Sequence, residues 1–128
     1  MNRLLTLTAL IEAPTGLALL LMPAVVVRLL LGAEISGAGI PLGRVAGVAL
    51  FALGVACWLA RSDAQSCAAR GVVSAMALYN IGAVIILGVA GIHSRPTGVV
   101  LWPAVVLHAG MTVWCIISLL GNRRRKSS

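Results

Sequence analysis

Four long runs of apolar residues alternate with short polar segments along this chain. The runs cover, to within about two to four residues at each end, positions 4–22, 42–60, 71–92 and 98–120. Each run approaches or exceeds the roughly 20 residues that a helix needs to cross about 30 Å of hydrocarbon. Strand-like alternation of apolar and polar residues does not occur, so the pattern predicts four membrane-spanning helices and disfavours a β-barrel.

The connection between the first two runs is itself largely apolar. It reads PAVVVRLLLGAEISGAGIP, with Pro23 and Pro41 at its ends and Arg28 within it. About ten apolar residues are too few to cross a bilayer, so we expect an interfacial or re-entrant helix followed by a glycine-rich turn. The predicted fold class is an all-α, polytopic four-helix membrane bundle in one domain, residues 1–128, with a basic cytoplasmic tail over 121–128.

Composition agrees with this pattern, and charge adds an orientation. Hydrophobic residues make up 60% of the chain, charged residues make up 10%, and the mean hydropathy is +1.05, far from the balance of a soluble domain. The basic residues divide unevenly between the two sides of the predicted spans. On the side of the chain termini lie Arg3, Arg61, Arg70, Arg123, Arg124, Arg125 and Lys126, and opposite lie Arg28, Arg44 and Arg95. The positive-inside rule predicts cytoplasmic termini, in a multi-pass protein of the bacterial cytoplasmic membrane.

The net charge of +7 is concentrated in the run RRRKSS directly after the fourth span. We expect residues 123–126 to contact anionic lipid headgroups, because no other feature indicates nucleic-acid binding. The cysteines Cys57, Cys67 and Cys115 form no C-x-x-C motif, and we expect them to be reduced thiols on the cytoplasmic side. No spacing typical of a metal site occurs.

Three polar residues of different spans fall at one predicted depth. Counting residues from the span ends places Glu12 about 12 Å, Asn80 about 14 Å and His108 about 15 Å into the membrane. Helical spacing puts each of them on a stripe of small or polar residues, which we expect to face the bundle interior. Because an unpaired charge at the bilayer centre is costly, Glu12 should face inward and either find a partner or stay protonated.

Glu12 has three candidate partners, of which His108 ranks first by depth, followed by Asn80 and Arg44. Pro14, two positions after Glu12, removes a backbone hydrogen bond and can open the first helix locally. The predicted ligand-binding set is Glu12, Arg44, Tyr79, Asn80, His108 and Thr112.

The second span carries a stripe of small residues that includes Gly43, Gly47 and Gly54. Its segment GRVAG is a G-x-x-x-G motif, which allows two helix backbones to approach closely. We therefore expect this face to pack against another helix, and a homo-oligomer would use it for dimerisation.

Several stretches resemble one group of known proteins. They are GRVAGVALFALGVACWLAR, MALYNIGAV and LWPAVVLHAGMTVWC, which follow a short first span and an apolar connector. In this layout, over most of its length, the chain is similar to the small bacterial four-helix membrane proteins grouped as DoxX-like. The resemblance implies a four-helix membrane fold, and some members of the group are associated with quinone-linked sulfur oxidation. This chain departs from them in having no evident redox cysteine pair.

Three functions remain open at this point. The small-residue faces and the lack of a catalytic constellation favour a non-enzymatic accessory or scaffold subunit, with a midplane pocket for a lipid or a quinone-like amphiphile. Two titratable groups at one depth would also suit a quinone-linked redox component. The third function is a minimal proton-coupled transporter that acts as a dimer. In the alternative to all three, the polar residues bind no ligand. They only join the helices through hydrogen bonds worth about 1 kcal/mol each.

Overall fold

The chain folds into five helices, seen in a computed structural model that describes residues 1–93 and 97–124, with side chains described through 121. The helices are α1 (Asn2–Leu21), α2 (Pro23–Leu31), α3 (Gly39–Ala60), α4 (Cys67–His93) and α5 (Leu101–Arg124), and a 3₁₀ turn covers Arg61–Asp63. No strand occurs in the described ranges, which confirms the all-α prediction there. The helices α1, α3, α4 and α5 are long and apolar enough to cross a membrane, consistent with a membrane protein.

The four long helices begin at residues 2, 39, 67 and 101, each within the tolerance of about two to four residues of the predicted starts. The helix α4 begins at Cys67 instead of residue 71, because the Ser66 hydroxyl accepts a hydrogen bond from a backbone N–H in the first turn, at 3.1 Å, and caps the helix. The last helix begins at Leu101 instead of residue 98, because the Val100 N–H donates to the carbonyl of Leu29 at 3.1 Å. The start of the fourth apolar run is therefore a turn attached to α2, in which the Leu101 N–H donates to the Gly98 carbonyl at 3.2 Å.

The predicted short helix between the first two spans is α2, with nine residues. Pro23 occupies its first turn, where a missing N–H costs nothing. It ends at Gly32, whose φ of 70° lies in the left-handed region that glycine adopts without steric cost. The helix contacts α1, α3 and α5, so it closes one side of the bundle.

The long helices associate as two antiparallel pairs, α1 with α3 and α4 with α5. In the first pair glycines bring the two backbones into contact. A Cβ atom added to Gly47 would lie 2.5 Å from the Leu20 nitrogen, and one added to Gly54 would lie 2.7 Å from the Ala13 nitrogen. A Cβ on Gly16 would likewise meet the backbone of α3. No side chain larger than hydrogen fits at these positions without moving the helices apart.

The GRVAG segment is used within the chain. Gly47 lies against α1, and a Cβ on Gly43 would lie 2.9 Å from the Cβ of Pro23 in α2. Both ends of the motif are therefore covered by the chain's own helices. This face is not free to form the dimer that the motif suggests.

The two helix pairs meet at one end of the bundle, which comprises the start of α1, the α3–α4 connection, the start of α4 and the second half of α5. A single buried cluster occupies this end. Its members are Leu4, Leu5, Ala9, Cys57, Ala64, Ala69, Val73, Met76, Ala77, Met111 and Cys115. Toward the other end the pairs are separated by a cleft, which α2 partly covers.

The outer surface of the bundle is apolar. Leu78, Val99 and Val106 are 73%, 79% and 70% exposed, and many other large aliphatic side chains share this exposure. A surface of this kind is typical of contact with lipid hydrocarbon. Arg95, Arg125 and Lys126, which carry part of the predicted orientation, lie outside the described residues, as do the side chains of Arg123 and Arg124.

Candidate ligand-binding cleft

The cleft between the helix pairs has a volume of about 230 Å³. It is bounded by α1 on one side and by α4 and α5 on the other, and α2 covers it. Its polar lining residues are Glu12, Thr15, Tyr79 and His108, and all other lining residues are aliphatic. The site therefore joins a few polar groups to apolar walls, the usual composition of a small-molecule pocket.

Glu12 is the most deeply buried charged residue of this site. It is only 4% exposed, although no described residue forms a hydrogen bond or an ion pair with its carboxyl group. No buried side-chain nitrogen or oxygen of the described residues is sealed off without a partner. The carboxyl oxygens must therefore reach open space, and Glu12 lines the cleft.

Pro14 lies inside α1 and does not end the helix. It has no N–H to donate, so α1 lacks one backbone hydrogen bond beside Glu12. The hydroxyl of Thr15 donates to the carbonyl of Ile11 at 2.7 Å, whereas the carbonyl freed by Pro14 is that of Leu10. The helix thus continues past the proline while Thr15 remains on the cleft side.

Asn80 connects α4 to α5 through His108. The amide nitrogen of Asn80 donates to the carbonyl of Met76 at 2.7 Å, and its Oδ1 lies 2.7 Å from Nδ1 of His108. Tyr79 adds an edge-on ring contact to His108, with centroids 5.6 Å apart at 82°. The imidazole is therefore held on two sides, while its remaining edge lines the cleft.

The structure gathers part of the predicted ligand-binding set. Glu12, Tyr79 and His108 line the cleft, and Asn80 holds His108 from behind. The favoured pair between Glu12 and His108 is not formed, and His108 bonds Asn80 through Nδ1 instead. Residue spacing predicted a depth for each of these residues. It could not predict how each helix is rotated about its axis, and this rotation decides which side chains meet.

Two members of the predicted set lie outside the cleft. Arg44 is exposed on α3, and none of the described residues that line the cleft belongs to α3. Thr112 donates its hydroxyl to the carbonyl of His108 at 2.9 Å, so it serves its own helix. Val26 and Leu29 of α2 also line the cleft, although no sequence motif marks them as binding residues. The apolar connector that begins at Pro23 was the only feature of the sequence that could have indicated this wall.

A second groove of about 250 Å³ lies on the other side of the α1–α3 pair. Leu10, Pro14, Phe51 and Trp58 are among its lining residues, and none of the lining residues offers a carboxyl, imidazole or hydroxyl group. It provides no polar group with the depth or chemistry of Glu12 and His108. The cleft between the helix pairs is therefore the better candidate for a specific site.

No protein family, curated protein or solved structure matches this chain. The fold and the cleft define a small helical protein with four apolar, membrane-length helices and one amphiphilic site between them. The resemblance to DoxX-like proteins stays a prediction.

Proposed function

We propose that this chain is a small integral membrane protein that binds one amphiphile in the cleft between its helix pairs, as a non-enzymatic accessory or scaffold subunit. The observation that carries the proposal is Glu12, almost fully buried and without a hydrogen bond or ion pair to any described residue, in a cleft with mostly aliphatic walls. Leaving such a group unpaired in a low dielectric is costly. A ligand headgroup that meets it offsets this cost.

The shape of the cleft supports an amphiphile as the ligand. Its polar groups lie at the level where the tightly packed end of the bundle begins, and the aliphatic side chains of α2, α4 and α5 line the rest. A polar head would meet Glu12 and His108, and an alkyl tail would extend along the aliphatic wall. A lipid or a quinone-like molecule has such a polar head and apolar tail.

We further place the protein in the bacterial cytoplasmic membrane with both termini in the cytoplasm. The uneven distribution of Arg and Lys along the sequence supports this orientation. In the same orientation, residues 123–126 would contact anionic headgroups of the inner leaflet.

The test compares two substitutions on one helix. Ala104→Phe inserts a ring into the cleft that Ala104 lines, whereas Val106→Phe adds the same ring to a side chain that is exposed and outside the cleft. Native mass spectrometry of protein released from mild detergent should find an amphiphile on the wild type and on Val106→Phe, and a loss on Ala104→Phe. Equal retention by both variants would refute a ligand in the cleft.

A quinone-linked redox component is the second candidate function, favoured by one observation. Glu12 and His108 can both carry a proton and both line the cleft. Organic extraction of the purified protein, followed by mass spectrometry, should then yield a quinone that is lost in Glu12→Gln and His108→Ala. A wild-type protein without quinone, or variants that keep it, would remove this candidate.

The dimeric transporter has no comparable support. The motif expected to join the two copies is covered by α1 and α2 of the same chain. We therefore do not propose it.

A further inference from the structure

The hydrogen bonds of Asn80 determine which nitrogen of His108 carries a proton. The carbonyl of Met76 can only accept, so the atom of Asn80 that lies 2.7 Å from it must be the NH₂ group. The other end of the amide, Oδ1, then faces Nδ1 of His108 and can only accept as well. Nδ1 must therefore be the protonated nitrogen of the imidazole.

The other ring nitrogen, Nε2, is an acceptor in the neutral ring. No described residue donates a hydrogen bond to it, and no buried polar atom of the described residues is enclosed without a partner. Nε2 consequently reaches the cleft that His108 lines. Glu12 lines the same cleft, and its protonated carboxyl group can donate a hydrogen bond to a ligand oxygen.

The size of the cleft limits the headgroup. An apolar cavity of about 150 Å³ holds one benzene ring, and the cleft has about 230 Å³. One six-membered ring with small substituents fits, whereas a sugar or glycerophosphate head would bring more polar groups than the few polar side chains of the cleft can partner. The aliphatic residues on α2 and α5 provide a wall for the ring faces and for the beginning of a tail.

We propose that the cleft selects amphiphiles whose head is a single ring, or a group of similar size, that bears a hydroxyl group. The hydroxyl donates to Nε2 of His108, which makes His108 the specificity-determining residue. Asn80 is a positioning residue that acts through His108 by keeping the proton on Nδ1. This inference rests on the proposed function, because it names the ligand class for the same cleft.

A neutral hydroxyl suits the site better than a cationic head. A cation would have to leave water for a cleft with one carboxyl group and mostly aliphatic walls. The hydrogen of a phenolic or alcoholic hydroxyl donates to Nε2, while its oxygen accepts a hydrogen bond from the protonated carboxyl group of Glu12, so both protein groups gain a partner.

The probes for the test are 4-decylphenol and 4-decyltoluene, which share ring and tail and differ by a hydroxyl in place of a methyl group. Binding is measured on the full chain in lipid nanodiscs by native mass spectrometry, for wild type and for His108→Phe. For each probe, the ratio of its affinities for the wild type and for His108→Phe does not depend on how strongly the probe partitions into lipid. We expect His108→Phe to weaken the phenol about tenfold and to leave the toluene unchanged.

A third probe, decyltrimethylammonium, carries a charge and cannot donate a hydrogen bond. If it displaces 4-decylphenol, and Glu12→Gln abolishes that displacement, the site selects charge and our inference is wrong. Equal binding of phenol and toluene to the wild type would also overturn the inference, but would leave the proposed amphiphile site standing. Binding of none of the probes would refute both.

A measurement on the wild type keeps the inference testable if the variant does not fold. Nitrogen-15 NMR of histidine-labelled protein separates protonated from unprotonated ring nitrogens, and His93→Gln assigns the signals of the second histidine. His108 should show a protonated Nδ1 and an unprotonated Nε2, and 4-decylphenol should shift the Nε2 signal toward the protonated position. Asn80→Leu should mix the two tautomers, whereas a persistent single Nδ1–H form in that variant would deny Asn80 its positioning role.

Discussion

At the scale of single residues, the cleft depends on a division of tasks between three polar side chains. Asn80 is satisfied on both sides by Met76 and His108, whereas Glu12 has no partner in the described chain. Counting positions along each span predicted a common level for these groups, and in the structure they line or adjoin one cleft. It did not reveal that His108 bonds Asn80 rather than Glu12, because that choice depends on how each helix is rotated about its axis.

Replacing Asn80 tests how much this hydrogen bond contributes to folding. Asn80→Leu removes the link between α4 and α5 and leaves Nδ1 of His108 without its acceptor. We expect the free energy of unfolding in detergent to fall by about 1 to 2 kcal/mol. The control is Ser74→Ala, on an exposed face of the same helix, where the hydroxyl only bonds its own backbone at 2.9 Å. Equal stability of the two variants would contradict the structural role of Asn80.

At the scale of elements, the sequence predicted which segments are helices better than how they associate. The four spans and the short connecting helix follow from the lengths of the apolar runs and from Pro23. Their grouping into two pairs could not be predicted, since apolar residues surround each span on nearly every side and leave few signals for its inner face. The exception is the glycine stripe of α3, which lies against α1 as close backbone approach requires.

Adding one methyl group at two different glycines should have opposite effects on stability. Gly47→Ala puts a carbon atom against the backbone of α1 and should destabilise the fold by about 1 to 3 kcal/mol through overpacking. Gly82→Ala adds the same carbon to α4, where nothing lies within 4 Å, and should be neutral or stabilising by up to about 1 kcal/mol. Thermal unfolding of the two variants in one detergent measures the difference. A stable Gly47→Ala protein would disprove the tight α1–α3 contact.

At the scale of the whole molecule, the packed end of the bundle protects two of the three thiols. Cys57 and Cys115 are fully buried, and Cys67 is exposed at the start of α4. A membrane-impermeant maleimide should therefore label one cysteine in the native protein and three after denaturation, counted by intact-protein mass spectrometry. Labelling of two or three native thiols would show that this end is not closed.

The same thiol tests the predicted orientation. If the α3–α4 connection is cytoplasmic, the impermeant reagent should leave Cys67 unmodified in spheroplasts and label it in inverted vesicles. A Val99→Cys substitution in a Cys67→Ser background, at an exposed position at the opposite end of the bundle, should give the reverse result. If the two labelling patterns were exchanged, the predicted orientation in the membrane would be wrong, and the fold would be unaffected.

The unequal contact between the helix pairs has a consequence for how a molecule enters or leaves. Glycine locks α1 against α3, and the second pair adjoins the first mainly at the closed end, beside the turn at Arg61–Asp63. At the open end, the backbone bond from Val100 to Leu29 and the close approach of Gly98 to the backbone of α2 fasten the start of α5 to the covering helix. Because the cleft lies between the helix pairs at this open end, a ligand would exchange sideways with the bilayer and leave the packed end of the bundle intact.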